Sequence, residues 1–228
     1  GIHKDLRAIS AQQLTEIDFD GFSIGGLALG ETKEEEYKMI EVSKKIIPEN
    51  KPVYLMGAGD PVELVEAVSR GVDMFDSRFP TKNARRGTIF TWKGRLRLLQ
   101  ARHQCSKKPL DEDCDCFVCK DYSRAHIQHL LKQGEGVGFR LASYHNLYFL
   151  QRLMDKSREA IKLPFLLFFN LFGWIKYQPR LLNLKPIHGS APNLLLNSIN
   201  SFICSSSRYF TLDFSDLHSI AKYLFPFP

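Results

Sequence analysis

The chain has 228 residues, 44% of them hydrophobic, which is enough for one good-sized domain or a domain with a tail, and its net charge is only +6. The longest apolar run, 163–175, is broken by Asn170 and falls short of the roughly 20 residues a membrane span needs, so a soluble protein with no membrane partner is expected. Five cysteines, three of them within six residues, argue against a disulfide framework and for a metal in a reducing, cytoplasmic compartment. No signal peptide opens the chain, and Gly1 in place of an initiator Met predicts that it begins partway through something longer.

In chain order, Ser10 to Ile17 reads as a short helix with Ser10 and Gln13 spaced as a capping box. FDGFSIGGLAL, 19–29, reads as a buried strand with a Gly-Gly pair near its tip, a place for close approach or simply a bulge. Thr32 and Glu35 form a second capping box. The helix they open has three Glu in its first turn, Lys44 and Lys45 in its last, and Pro48 as its stop. PVYLMG, 52–57, is the next buried strand; Asp60 as N-cap and Pro61 at the first helical position open another helix, closed by Gly71. A third strand follows at Val72 to Asp76, where alternation puts Val72, Met74 and Asp76 on one face and Asp73 and Phe75 on the other. Strand, helix, strand, helix, strand with apolar strands predicts an α/β fold built on a parallel sheet.

Ligands of such sheets gather at the C-terminal strand ends. Those ends hold Gly25, Gly26, Leu27 and Ala28, then Met56, Gly57, Ala58 and Gly59, and then Asp76. Small residues admit a flat ligand, Met56 offers an apolar surface, and Asp76 supplies charge. The Gly57-Ala58-Gly59 segment also fits a phosphate nest, or a plain strand-to-helix turn.

The charge is unevenly spread. Residues 1–76 carry eight basic and fifteen acidic side chains, whereas 77–110 carry ten basic and no acidic ones. Such a block predicts either a polyanion-binding surface or a solvated lysine-rich face. Beyond it, Cys114, Cys116 and Cys119 form C-x-C-x-x-C, and His145 lies at the start of a helical stretch running to about Ile161. Three thiolates and an imidazole suit a closed, structural zinc site. The plain alternative is three free thiols and an N-capping histidine. His126 and His129, at i and i+3 on a helix predicted over Tyr122 to Lys132, are also placed to face a metal.

GFSIGGLALG (21–30), YLMG (54–57), GVDMFD (71–76), PTKNAR (80–85) and the cysteine cluster with His145 resemble, in order and spacing, the tRNA-guanine transglycosylases. The resemblance covers about residues 1–161. It implies the C-terminal portion of an irregular (β/α)8 TIM barrel, its last three strands, with an inserted structural zinc subdomain at about 105–150. It also implies exchange of the guanine at the tRNA wobble position for a 7-deazaguanine, on the way to queuosine. Carried over residue by residue, Asp76 matches the nucleophile that holds the ribose covalently. Gly26, Leu27, Ala28 and Gly57 match base-binding backbone, and Met56 the side chain over the flipped-out base. Lys82, Arg85 and Arg86 fall on the anticodon loop's binding segment, and Cys114, Cys116, Cys119 and His145 match the ligands of one structural Zn2+, which decides between the histidines. The family's homodimer and cytoplasmic location come with it.

Ser77 and Arg78 stand where the family has a cysteine and an apolar residue, and Lys82 where it has an arginine, which keeps the charge and loses the bidentate fork. Three strands cannot close a barrel, and the family's acid/base carboxylate lies on earlier strands, so this chain alone is expected to be inactive and poorly soluble. Residues 162–228 fall outside the resemblance and read as an unrelated tail, such as translation past a disrupted gene, or as an extension that binds a partner. A non-catalytic zinc-containing RNA-binding module or partner subunit is the alternative function.

Overall fold

The computed structural model describes residues 1–27 and 29–162. The expectations for Ala28 and for the tail at 162–228 therefore lie, but for Lys162, outside the described residues.

Helix α1 (Lys4–Thr15) starts six residues earlier than its sequence signal. Ser10 is mid-helix, and the N-cap is His3 without a side-chain hydrogen bond. No Gly or Pro between His3 and Ser10 stops the helix from extending backward, and Asp5 in the first turn favours that end. Strand β1 (Phe22–Ile24) is the short core of the predicted apolar run. Helix α2 (Lys33–Lys44) has the reciprocal Thr32–Glu35 capping box, and after β2 (Val53–Met56) helix α3 (Pro61–Val68) opens on a second box, Asp60 with Glu63. Strand β3 (Met74–Asp76) completes a parallel sheet of order β1-β2-β3.

The register pairs Ile24 with Leu55, Leu55 with Phe75, and Met56 with Asp76. One face carries Phe22, Ile24, Val53 and Leu55, which bury against Met39 and Ile40 of α2 and Leu64 and Ala67 of α3. The opposite face carries Ser23, Tyr54, Met56, Met74 and Asp76, and none of these is buried. Val72 departs from its expected face. It precedes the strand, donates its N–H to Ala67 and sits 2% exposed in the helix-side core, while Met74 is 50% exposed. Asp73 explains the break, because its carboxylate accepts the Val53 N–H at 2.8 Å and fixes the chain one residue before pairing begins.

The basic block folds as α4 (Phe79–Arg85), an antiparallel hairpin of β4 (Thr88–Thr91) and β5 (Gly94–Arg97), and a 3-10 turn at Ala101–His103. Short helices α5 (Phe117–Asp121) and α6 (Arg124–Gln133) follow, and then the 27-residue helix α7 (Gly136–Lys162). His145 lies in the middle of α7, not at its start. The helix buries Leu141, Ala142, His145, Asn146, Phe149 and Leu153, a stripe at helical spacing. Its N-terminal half joins a core with Ile89, Leu98, Leu110, Val118 and Ile127, and its C-terminal half packs on Val65 and Phe90. No helix of the described residues is long and apolar enough to cross a membrane.

Candidate functional site

The parallel register brings the ends of β2 and β3 side by side, so Asp76 faces the residues that follow Tyr54. Its Oδ1 accepts the Tyr54 hydroxyl at 2.6 Å and the Gly57 N–H at 3.1 Å. The Tyr54 bond first, and the Gly57 amide second, hold this carboxyl below its usual range, so it is ionised at neutral pH. Both bonds converge on Oδ1, which leaves Oδ2 as the oxygen free to attack an electrophile or take a proton.

Met56, 48% exposed, stands beside the carboxylate, and a methyl added at Gly25 would lie 3.5 Å from its sulfur. The Met56 sulfur therefore lies against Gly25 across the uncovered sheet face. Ser77 locks the floor of this edge, since its hydroxyl donates to the Gly57 carbonyl at 3.2 Å and accepts the Phe79 N–H at 3.1 Å. A side chain at Gly59 would run into Ser77 Cβ, so the two loops meet only because that position is glycine.

Among the other predicted residues, Gly26 has φ +67°, and its carbonyl accepts the Gly1 amino group at 2.9 Å. Leu27 is buried in the core at 5% exposure. Lys82 and Arg85 lie on α4, and Arg86 caps it. No acid pairs with any of the three among the described residues.

The structure also brings Cys114, Cys116, Cys119 and His145 together, with all four ligand atoms within 4.8 Å of one another. His145 Nδ1 lies 3.8, 3.5 and 3.3 Å from the three sulfurs in that order. A tetrahedral zinc with Zn–S near 2.3 Å and Zn–N near 2.0 Å spans roughly 3.5 Å from sulfur to nitrogen, so the set fits. The second shell agrees. His145 Nε2 lies 2.8 Å from the Phe90 carbonyl, which fixes the proton there and turns the Nδ1 lone pair toward the thiols. The sulfurs compete for charge: hydrogen bonds from Cys114 and Cys119 push the Cys116 thiol down, and those with Cys114 and Cys116 push Cys119 up. All three sulfurs this close would ionise together only around a cation. His126 and His129 are not in the cluster.

Three supporting groups escaped the sequence reading. Tyr54 was legible as strand alternation, being two residues before Met56 on its face and paired with Met74. Asn146, fully buried, accepts the Phe90 N–H at 2.9 Å and donates to the Pro80 and Thr88 carbonyls at 3.0 Å each, a role no local pattern announces. Arg95 reaches from β5 to the Asp60 carboxylate and lies over the Phe79 ring, tying the hairpin to both loops of the Asp76 edge.

The profile of a family described as queuine tRNA-ribosyltransferase matches residues 1–164. A queuine tRNA-ribosyltransferase from Thermoanaerobacter sp. (strain X514) is 52% identical over 177 residues, 78% of this chain and 47% of that protein. Those from Fusobacterium nucleatum subsp. nucleatum and Streptococcus sanguinis are 53% and 54% identical over 164 and 158 residues. These alignments cover 71% and 69% of this chain and 44% and 42% of those proteins. The chain spans about half the length of the curated relatives it matches.

Proposed function

The chain belongs to the queuine tRNA-ribosyltransferase family, and we propose that it carries the nucleophile and the anticodon-binding surface for exchange of the wobble guanine of tRNA for a 7-deazaguanine. The observation that carries this reading is the Asp76 carboxylate, ionised, held through one oxygen by Tyr54 and Gly57, and presented at the C-terminal sheet edge beside Met56.

In this mechanism Asp76 Oδ2 attacks the ribose C1′ atom, and the glycosidic C–N bond breaks with its electron pair going to guanine, which leaves as it takes up a proton. The incoming 7-deazaguanine then attacks C1′ through its ring nitrogen, loses its proton and expels Asp76. Two displacements retain the sugar configuration and need a second acid/base group beside the carboxylate. Gly26, Leu27, Ala28 and Gly57 bind the extruded base through backbone groups, with Met56 over its face. Lys82, Arg85 and Arg86 bind the anticodon loop.

Residues 1–161 are read as the last three strands of a (β/α)8 barrel carrying a zinc subdomain at about 105–150. Cys114, Cys116, Cys119 and His145 would hold one Zn2+, which with no open position supplies rigidity rather than chemistry. The homodimer and the cytoplasmic location belong to the same reading. Asp76 is the only acid on the uncovered face of the described sheet, so this chain alone is proposed to bind without completing exchange.

The test is incorporation of labelled guanine into tRNA by the chain alone and after mixing with the N-terminal half of the Thermoanaerobacter protein. The expected result is no turnover alone, turnover by the mixture, and loss of turnover with Asp76→Ala. Turnover that survives Asp76→Ala refutes the assignment. A mixture that binds tRNA without exchange points instead to a zinc-containing RNA-binding module or partner subunit, which the exposed, acid-free cations around α4 would serve equally well.

A further inference from the structure

Ten cations crowd residues 77–110, and the fold sorts them. Arg95 pairs with Asp60, Lys93 with Glu112 and Asp113, and Lys108 with Glu112. The other seven have no acidic partner among the described residues. Two of these, Arg86 at the end of α4 and Arg97 at the end of β5, line one pocket of about 320 Å3 with Gly87, Thr88, Leu99 and Gln100.

The pocket is built by the hairpin's own pairing. Thr88 faces Arg97 across the ladder, and the Leu98 N–H bonds the Gly87 carbonyl at 2.8 Å. Gly87 takes φ +73°, and any side chain there would strike Leu99, so glycine brings the leucine down beside the two arginines. Leu99 stays 41% exposed, an apolar wall next to two guanidinium groups and the Gln100 amide. Neutralising Arg97 would also relieve Arg95, which burial first and the Arg97 charge second hold below its ordinary value.

We propose that this pocket seats a phosphodiester of the bound RNA strand, with Arg86 and Arg97 on the phosphate and Leu99 against the adjoining ribose. The inference rests on the RNA-binding reading above and extends it past α4, whose seven residues carry the surface about 10 Å onward from Asp76. Arg97 thereby becomes an RNA-backbone residue that the motif around Lys82 and Arg85 does not include.

The experiment is fluorescence anisotropy of a labelled anticodon stem-loop against the full chain over a range of salt, with Arg97→Gln, Arg97→Lys and, as a control cation outside the pocket lining, Lys132→Gln. Arg97 is exposed and its side chain makes no hydrogen bond within the described residues, so Arg97→Gln should leave the fold intact. The salt slope should fall by about one for Arg97→Gln and stay at the wild-type value for Arg97→Lys and Lys132→Gln. A fourfold rise in salt then costs the glutamine variant roughly threefold less affinity than it costs the wild type. An unchanged slope in Arg97→Gln, with RNA still bound, overturns this proposal and leaves the function standing; a wild-type chain that binds no RNA overturns both. Shifts of the Gly87 and Thr88 amide resonances on adding the stem-loop support the site. Shifts with inorganic phosphate but none with RNA overturn it in favour of a small-anion pocket.

Discussion

Asn146 offers the sharpest test of how α7 holds α4 and β4 in place. Its side chain satisfies the Phe90 N–H and the Pro80 and Thr88 carbonyls in a fully buried position, and its neighbour His145 takes the Phe90 carbonyl. Asn146→Ala orphans one buried donor, one buried acceptor and one half-buried acceptor. Each orphaned group costs about 1–3 kcal/mol, and water entering the space left behind repays part of it, so the expected loss is about 3–5 kcal/mol. That is a large share of the about 5–15 kcal/mol that holds a typical domain together. The measurement is urea denaturation at fixed excess zinc, followed by competition for zinc with a chromogenic chelator. Because β4 orients the metal-facing imidazole through Phe90, zinc affinity should fall by about 10- to 100-fold as well. A stability loss under about 1 kcal/mol with unchanged zinc affinity would refute the claim that Asn146 holds β4 in place.

Metal analysis of the purified protein should find one zinc per chain, and chelation should expose the amides of residues 105–150 to hydrogen exchange before those of the sheet; a folded protein without stoichiometric zinc contradicts the site. Between α2 and α3, Glu36 is 1% exposed and bonded to Lys33, with Glu63 beside it, and burial pushes its carboxyl up to about 7 from an ordinary 4.5. Between those pH values the folded chain keeps a proton the unfolded chain has released, so the stabilisation is full below about 4.5 and is lost as pH rises through 7. At about 1.4 kcal/mol per pH unit the loss is on the order of 3 kcal/mol. Glu36→Gln should flatten the dependence in denaturation series at stepped pH, and a variant that keeps the wild-type slope would rule Glu36 out as its source.

The parts of the fold written in local chemistry were legible. Thr32 and Glu35, Asp60 and Pro61, and three apolar runs are each signals complete within a few residues, and they yielded α2, α3 and the parallel sheet. The cysteine spacing was equally local, and the fourth ligand came from resemblance because a histidine on a helix carries no mark of what it faces. What stayed hidden was set by distant partners. The TIFT strand buries three consecutive residues because β4 lies between α4, α7 and the metal core, so no alternation betrays it. The start of α7 reads as a loop because Gly136 and Gly138 are helix breakers in isolation. Yet a Cβ at Gly138 would come within 2.7 Å of Leu130 Cβ, so glycine there is what lets α6 and α7 pack. Tyr54 looked like ordinary strand aromatic surface until β3 placed Asp76 beside it.

These long-range constraints meet at one strand and one helix. Phe90 gives its carbonyl to His145 and its N–H to Asn146, while its ring packs with Phe149 and Phe79. Phe79 opens α4, three residues after Asp76, and α4 lies against α7. A metal bound at His145 therefore fixes not only the cysteine segment but also the angle at which α4 leaves the Asp76 edge. Lys82, Arg85 and Arg86 ride on that angle. A zinc held there would set the distance between Asp76 and the cations proposed to bind RNA without touching either, and its loss should disturb the placement of α4 before it disturbs the Asp76 carboxylate.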